Sequence, residues 1–454
     1  MRSNFLSVPS GMPRVSHRSA RRASPVDFQT APLPNVRFSR LEASERDRKA
    51  VGDERGADQF SRRDSILSIV RRCEKHSTAI SFPFILAQTG LRGILLAVSE
   101  RPRPEVNSVQ MFNKSLSALA MTTLWIFFFA VCVGLGYPTL NRYDPGVRNP
   151  DASEYSKMVR SEEGVAPHFR HRVLIPYLAR PIFRAASGRV GSWNPAYFAL
   201  LLVNSWFVSG TAFLLFMVVS RNMGTPTIAL LSSTIYLLNF AVPNLLLAGL
   251  VDSGEAFFLM ALVGILSAEW FFLLPVAAVL GSLAKETFLP FALVFAATWM
   301  VMNRQQRPLG KPVMWLVATG LAGIASLSAV LTRTNGYLLF PWTYAGMLKS
   351  NLASPATAAA ALKDLNFWYV LAWLLPLGLC QLKHLPREWV MASFITALVA
   401  MGFTAYHNSA RDAGPAVARP IFSIAGPLLS VSVALLIVDL AERWSALDKK
   451  RTIG

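Results

Sequence analysis

Long apolar runs alternate with short polar stretches from about residue 116 to residue 440. As helices, runs of about 15 to 25 residues can cross or nearly cross the hydrocarbon core of a bilayer. We place ten such runs along the chain. They lie at residues 116–138, 194–219, 226–249, 255–268, 270–284, 287–302, 313–333, 366–382, 388–405 and 420–440. The pattern predicts an all-α integral membrane protein with about ten transmembrane helices.

The fourth and fifth runs are short and are separated only by Glu269. They fit two tilted helices, a re-entrant pair or one broken span. The distinction matters because one fused span would move every later loop to the other side of the membrane.

Basic residues in the short loops predict which side of the membrane each loop faces, since Lys and Arg accumulate on the cytoplasmic side. With ten spans, that side receives the N-terminal segment, residues 303–311, residues 381–388 and the basic tail 443–454. The opposite side receives the long loop 139–193, the turns at Asp252 and Lys285, the loop 334–365 and residues 407–419. We therefore expect a bacterial inner-membrane protein with a large extracytoplasmic first loop.

Composition agrees with a membrane protein and divides the chain into three parts. Of 454 residues, 53% are hydrophobic and only 16% are charged, as expected of a multispanning protein. Residues 1–110 are rich in Arg, Ser and Pro and lack apolar periodicity, so we expect them to be mostly disordered. Met111 precedes a short basic start and the first apolar run, which makes it a candidate for the natural start. The membrane domain is then 111–442, followed by the cytoplasmic tail 443–454.

The formal net charge of +19 raises nucleic acid as a partner, but no basic amphipathic helix or binding fingerprint accompanies it. Lys and Arg also accumulate beside lipid headgroups. We therefore expect membrane lipids, and no nucleic acid, as partners. The three cysteines, Cys73, Cys132 and Cys380, are far apart and indicate neither a disulfide framework nor a metal site.

The loop after the first run carries carboxylates that could act as a base. Asp151, Glu154 and Tyr155 belong to the sequence DASEY, whose spacing puts Asp151 and Tyr155 on one side of a helical turn. A carboxylate here could take the proton from a hydroxyl as that hydroxyl attacks a sugar carbon. The same residues also fit a helix start, with Asp after Asn-Pro and Glu three residues later. The two interpretations are compatible, because a helix start can position a catalytic carboxylate.

Arg170, His171 and Arg172 follow in the same loop, just before the apolar stretch VLIPYLARPIF. Arg offers a planar fork of donors that suits phosphate oxygens and always stays charged, so this cluster could hold a lipid phosphate. The alternative is an interfacial amphipathic helix whose Arg residues meet lipid headgroups. Metal ligation by His171 lacks an H-x-x-x-H or HExxH spacing, and an exposed or packing histidine is the simpler interpretation.

Ionisable residues recur at three later span ends on the same predicted side. Asp252 precedes Glu255, Lys285 is next to Glu286, and Arg419 opens the last span. Charges at such depth are costly unless they are paired or functional. We take Lys285 and Arg419 as candidate phosphate ligands and Asp252 and Glu286 as supporting residues. The alternatives are mutual neutralisation or snorkelling to the interface, and for Arg419 a helix anchor.

Several short motifs together resemble the GT-C class of integral-membrane glycosyltransferases. They are DASEY in the first loop, HFRHRVLIPYLARPIF after it, the DSGE turn at Asp252, the AKET turn at Lys285 and ARPIFSIAGPLL near the end. The resemblance covers the layout of residues 111–440. It implies an enzyme that takes a sugar from a polyprenyl phosphate donor on the outer side of the membrane. It also implies a glycan, lipid or protein acceptor and transfer with inversion of the anomeric centre.

The resemblance further implies a first-loop Asp as the base or as a metal-assisting residue, which maps to Asp151. Many members carry two adjacent acidic residues in this loop, whereas Asp151 and Glu154 are separated by two residues. Both stay candidates for the catalytic carboxylate. No cofactor is firmly implied, and a divalent metal, Mg²⁺ or Mn²⁺, stays open. Two rival functions also stay open: a flippase of lipid-linked glycans and a non-catalytic membrane subunit of a polysaccharide assembly system.

Overall fold

The computed structural model describes residues 118–141, 149–304, 310–343, 359–360, 362–363, 365–371, 373–407 and 413–453. The segment 1–110, the candidate start Met111 and most of the loop 334–365 beyond residue 343 lie outside these residues. The side chains of residues 404–417 and 449–454 also lie outside the description.

The described residues form thirteen α-helices with short 3₁₀ and π turns between them and no β-strand. The helices are α1 (Ala118–Asn141), α2 (Pro150–Arg160), α3 (Leu174–Ala186), α4 (Pro195–Met223), α5 (Pro226–Leu237), α6 (Asp252–Ala268), α7 (Leu274–Ala284), α8 (Phe288–Met302), α9 (Gly310–Asn335), α10 (Leu365–Leu371), α11 (Leu374–Leu379), α12 (Arg387–His407) and α13 (Ala413–Ile453). Each of the ten predicted apolar runs overlaps one or two of these helices. The all-α class is confirmed.

Four of the described helices are long and apolar enough to cross a membrane: α1, α4, α9 and the part of α13 from Ala418 to Asp448. Three shorter apolar helices lie at Pro226–Leu237, Phe271–Ala284 and Phe288–Met302. These lengths and compositions support a membrane protein, while the number of ten spans stays a prediction. The predicted tail 443–454 continues the helix of the last span, since α13 extends to Ile453.

The third predicted run is helical only in its first half. Helix α5 ends at Leu237, where the Asn239 side chain accepts a hydrogen bond from the Ala241 amide at 2.9 Å. A π-helical turn at Val242–Leu246 follows, and Pro243 within it has no amide hydrogen to donate. Irregular backbone at membrane depth requires burial in protein. Residues 246–251 meet this requirement because all of them are buried.

The fourth and fifth runs form two separate antiparallel helices. Helix α6 ends at Ala268, and Glu269 adopts the left-handed conformation with φ of 63°. The Trp270 amide then donates back to the Ile265 carbonyl at 3.0 Å, as in a Schellman ending. Helix α7 returns along α6, so that a Cβ added at Gly254, near the start of α6, would lie only 2.9 Å from the Cβ of Ala284.

Helices α4 and α13 form the centre of the bundle. About two thirds of their apolar windows are buried (67% each), compared with 11% for α1 and 17% for α9. Small residues allow close approach between helices, as is usual in membranes. A Cβ at Gly378 would lie 2.7 Å from the Leu429 side chain, and the Ser432 hydroxyl donates to the Gly378 carbonyl. The central helices thus form a close-packed support for the ends of the bundle.

Helix α2 sits against one end of this bundle. The Asn149 side chain caps it by accepting a hydrogen bond from the Asp151 amide at 3.2 Å, with Pro150 at its first position. Ala152 is fully buried and faces Gly249, where an added Cβ would lie 3.5 Å from it. Gly249 has a φ of 79°, a conformation that glycine adopts without strain. This contact fixes the height of α2 above the bundle.

Candidate functional site

Polar residues from four distant parts of the chain meet at the end of the bundle where α2 sits. We call them the polar cluster: Asp151, Tyr155, His168, His171, Arg172, Asp252, Glu255, Lys285, Glu286, Thr287 and Arg419. They come from α2, the 3₁₀ turn Pro167–Phe169 and the residues after it, the start of α6, the turn between α7 and α8, and α13. The sequence predicts that the first loop, the Asp252 turn and the Lys285 turn face the same side of the membrane. In the structure these three segments lie together, with Arg419 beside them.

Arg172 and Glu286 form the best-ordered contact in the cluster. The guanidinium donates through Nε to Oε2 of Glu286 at 2.8 Å and through Nη2 to Oε1 at 2.5 Å. Its third nitrogen, Nη1, donates to the Tyr155 hydroxyl at 2.8 Å. The Nε2 atom of His171 lies 3.0 Å from Oε2 of Glu286. This bidentate pair ties α2 and the first loop to the turn between α7 and α8.

Lys285 is buried between two carboxylates of α6. Its Nζ atom lies 2.7 Å from Oδ1 of Asp252 and 2.7 Å from Oε2 of Glu255. The Thr287 hydroxyl donates to the other Glu255 oxygen at 2.5 Å. Glu255 is 0% exposed, so these donors offset the cost of burying its carboxyl group. We call these contacts, together with those of Arg172 and Glu286, the closed network.

Asp151 and Arg419 form a looser and more exposed pair. Nη1 of Arg419 lies 3.4 Å from Oδ2 of Asp151, and the two side chains are 22% and 36% exposed. The buried Nε atom of Arg419 has no hydrogen-bond partner among the described residues. Arg419 also interacts electrostatically with Asp252. We call Asp151 and Arg419 the open pair, since an incoming group can reach both side chains.

Glu154 and Arg170 hold the loop beside the cluster. Glu154 binds Lys157 through Oε1 at 2.5 Å and accepts the Ala166 amide through Oε2 at 2.8 Å. Partial desolvation alone raises the pKa of Glu154, but these two hydrogen bonds lower it overall. The exposed Arg170 donates through Nε to the Val165 carbonyl at 2.7 Å. Both residues therefore fold the loop back on itself, and both oxygens of Glu154 are engaged.

Desolvation and neighbouring charges shift the pKa of two groups near Asp151. Partial desolvation lowers the pKa of the exposed His168, as does the nearby charge of Arg172, against smaller opposing effects of Asp151 and Glu286. These effects favour the neutral imidazole. Burial raises the pKa of Tyr155 to about 12, so its phenol keeps its proton. The Tyr155 hydroxyl accepts a hydrogen bond from Arg172 and so supports that guanidinium.

The expected phosphate-binding roles of Arg172 and Lys285 stay predictions. Each of these cations is already paired with carboxylates, which a phosphate would have to replace. Arg419 differs from them, because its contact with a carboxylate is long and partly exposed. Within the described part of the chain, no three His, Cys, Asp or Glu side chains are grouped as metal ligands. The donor set of the cluster fits its own Lys and Arg residues better than Mg²⁺ or Mn²⁺.

Sequence reasoning gave no role to Thr287 or Asn204. The KET sequence places Thr287 next to the charged turn, and this proximity was its only signal. Asn204 lies in the middle of an apolar run, where its buried Oδ1 atom accepts the Ser253 hydroxyl at 2.6 Å. A buried amide in such a run signals a helix contact, but not its partner.

Comparisons with protein-family models, with curated proteins and with solved structures find no match for this chain. The geometry of the polar cluster is therefore the basis of the functional assignment.

Proposed function

We propose that the protein is a membrane glycosyltransferase that moves a sugar from a polyprenyl-phosphate donor to a glycan, lipid or protein acceptor. The observation that supports this most is the open pair. It sets a partly exposed carboxylate beside a partly exposed guanidinium that is held by one long contact, at the end of a bundle of apolar helices. Base and anion ligand are the two groups that such a transfer needs.

In the proposed reaction Asp151 is the general base. The acceptor hydroxyl oxygen attacks the anomeric carbon, and its proton passes to Asp151. The bond between that carbon and the phosphate oxygen breaks, and its electron pair stays with the polyprenyl phosphate. Arg419 binds this departing phosphate and stabilises its growing negative charge. A single displacement of this kind inverts the anomeric centre and needs no sugar-enzyme intermediate.

The remaining cluster residues position these two groups. The closed network joins α2, which carries Asp151, to α6 and to the turn between α7 and α8. Catalytic groups must be held within a fraction of an ångström of their working geometry. We therefore assign Arg172, Glu286 and Tyr155 to positioning, with Lys285 holding the start of α6.

We further propose that the chain crosses a bacterial inner membrane about ten times, with the polar cluster on the extracytoplasmic face. Single cysteines at Glu163 and Lys383, both exposed, test this in a background without the native cysteines. Glu163→Cys should react with an impermeant thiol reagent in intact cells, and Lys383→Cys only after the membrane is opened. Labelling of both from outside, or of Lys383→Cys alone, would contradict the proposed orientation.

The function is tested with purified protein in proteoliposomes and a radiolabelled polyprenyl-phosphate sugar. Wild type should release polyprenyl phosphate and pass the sugar to an acceptor glycan. Asp151→Asn should reduce turnover by about 10²- to 10⁴-fold, as expected for loss of a general base, while still binding the donor. Glu154→Gln is the matched control, because Glu154 lies on the same helix with both oxygens engaged. Equal turnover by wild type and Asp151→Asn would remove Asp151 as the base.

A flippase of lipid-linked glycans is the second candidate. The observation that favours it is the buried Lys285 between Asp252 and Glu255, because buried ionisable residues in membrane proteins often line transport paths. A flippase needs no base, so it should tolerate Asp151→Asn and fail with Lys285→Met. A non-catalytic subunit would tolerate the Asp151→Asn and Glu154→Gln changes together.

A further inference from the structure

We propose that Asp151 and the phosphate of the donor compete for Arg419, so that donor binding itself releases the base. This inference rests on the proposed function and adds a control to it. With no donor bound, the open pair holds Asp151 against a cation. When the phosphate takes the guanidinium, the carboxylate becomes available to the acceptor hydroxyl.

The geometry of Arg419 suits an exchangeable contact. Strong hydrogen bonds between a guanidinium and a carboxylate have N···O distances of about 2.7 to 2.9 Å, whereas Nη1 of Arg419 lies 3.4 Å from Asp151. Its Nε atom is buried and has no partner among the described residues. The Arg419 side chain is 22% exposed, so a phosphate can approach the accessible part of the guanidinium and replace the long contact with Asp151.

Arg172, in the same cluster, makes contacts that are harder for an anion to replace than those of Arg419. All three of its nitrogens donate hydrogen bonds, two to Glu286 and one to Tyr155. An incoming anion must first displace a bidentate carboxylate there. The contrast directs a phosphate to Arg419 rather than to Arg172.

The exchange changes which groups Asp151 can meet. While Oδ2 of Asp151 accepts a hydrogen bond from Arg419, that oxygen is engaged by the guanidinium. Once phosphate takes the guanidinium, Oδ2 is free to accept the proton of the acceptor hydroxyl. The base is therefore released when the donor is in place.

The test is the binding of polyprenyl monophosphate to the full chain in nanodiscs. Removing the competing charge with Asp151→Asn should tighten binding by about tenfold, equivalent to about 1.4 kcal/mol. Arg419→Gln should weaken it by at least about tenfold, and Asp151→Asn should give no gain in the Arg419→Gln background. Asp151→Ser is a second neutral variant in case Asp151→Asn folds poorly. Glu163→Gln removes an exposed charge from the same loop and should leave binding unchanged.

Each outcome decides the proposal. Unchanged or weaker binding by both neutral variants, or a gain that persists without Arg419, overturns the competition. An equal gain with Glu163→Gln also overturns it, because the effect is then general electrostatics. If Asp151→Asn tightens the binding of inorganic phosphate but not of polyprenyl phosphate, the proposal that the ligand is lipid-linked is wrong. Sugar transfer measured in the same preparations judges the proposed function separately: tighter binding by Asp151→Asn without any transfer by wild type supports the competition and contradicts the glycosyltransferase.

Discussion

The closed network and the open pair use the same kinds of side chain in opposite ways. In the closed network, Arg172 meets both oxygens of Glu286 at 2.5 and 2.8 Å, and Lys285 is buried between two carboxylates. In the open pair, Arg419 meets one oxygen of Asp151 at 3.4 Å with both side chains partly exposed. The comparison teaches that charge alone does not mark a reactive group. Residues in bidentate or buried ion pairs hold the site together, and we propose that the partly exposed open pair takes part in chemistry.

The largest expected effect on stability follows from removing the buried cation. Lys285→Met leaves Asp252 and Glu255 as neighbouring buried carboxylates without a partner charge, which we expect to cost about 3 to 5 kcal/mol. The measurement is the midpoint of thermal unfolding in detergent. Lys157→Met is the control, because its exposed pair with Glu154 should contribute less than about 1 kcal/mol. Similar midpoints for the two variants would mean that the closed network does not stabilise the fold.

A smaller effect distinguishes the two arginines directly. Lys in place of Arg172 cannot reproduce the fork on Glu286 or the bond to Tyr155, so Arg172→Lys should cost about 2 kcal/mol. Arg419→Lys should stay within about 0.5 kcal/mol of wild type and should weaken phosphate binding instead. Chemical denaturation of both variants checks the first effect, and the nanodisc binding measurement checks the second. Equal destabilisation by both changes would erase the distinction between network and pair.

The sequence predicts where the helices of these two regions lie along the chain, but it does not predict which side chains contact each other. Apolar runs located α6, α7, α8 and α13, and the helix-start pattern at Asp151 indicated α2. Ionisable residues at span ends marked Asp252, Lys285 and Arg419. The partners could not be predicted, because Arg172 and Glu286 are 114 residues apart and a single sequence carries no record of contact. Arg172 was therefore interpreted as a phosphate ligand. Its carboxylate partner becomes visible only in the packed structure.

Two backbone features could not be predicted from the sequence. Glu269 in the left-handed conformation separates α6 from α7, although glycine is the usual residue at such a helix end. The third apolar run changes from α5 to a π turn after Leu237. Hydropathy indicates which residues are buried but not the backbone conformation. A uniformly apolar run therefore gives no sign of a helix end or a π turn within it.

The smallest expected effect concerns the loop beside the open pair. The pKa of Glu154 is lowered in the folded protein, so its stabilising contacts are fully present above the ordinary value of about 4.3. They are lost as the pH falls through the lower folded value. Hydrogen exchange at the Ala166 amide, corrected for intrinsic rate, should therefore accelerate as the pH falls below the ordinary glutamate pKa.

Glu154→Gln should exchange faster at Ala166 than wild type at neutral pH and should lose this acid transition. Glu162→Gln serves as the control, since the exposed Glu162 side chain pairs with Arg160 at the loop surface. An unchanged exchange rate in Glu154→Gln would show that other contacts hold the loop.

The central claim is that the open pair performs the chemistry and the closed network supports it. The most direct measurement is sugar transfer and thermal unfolding, side by side, for Asp151→Asn and Glu286→Gln. Our account predicts that Asp151→Asn abolishes transfer from the polyprenyl-phosphate donor with an unchanged unfolding midpoint, while Glu286→Gln lowers the midpoint and keeps some transfer. Full transfer by Asp151→Asn, together with complete loss in a stably folded Glu286→Gln, would contradict it and would place the reactive carboxylate in the network.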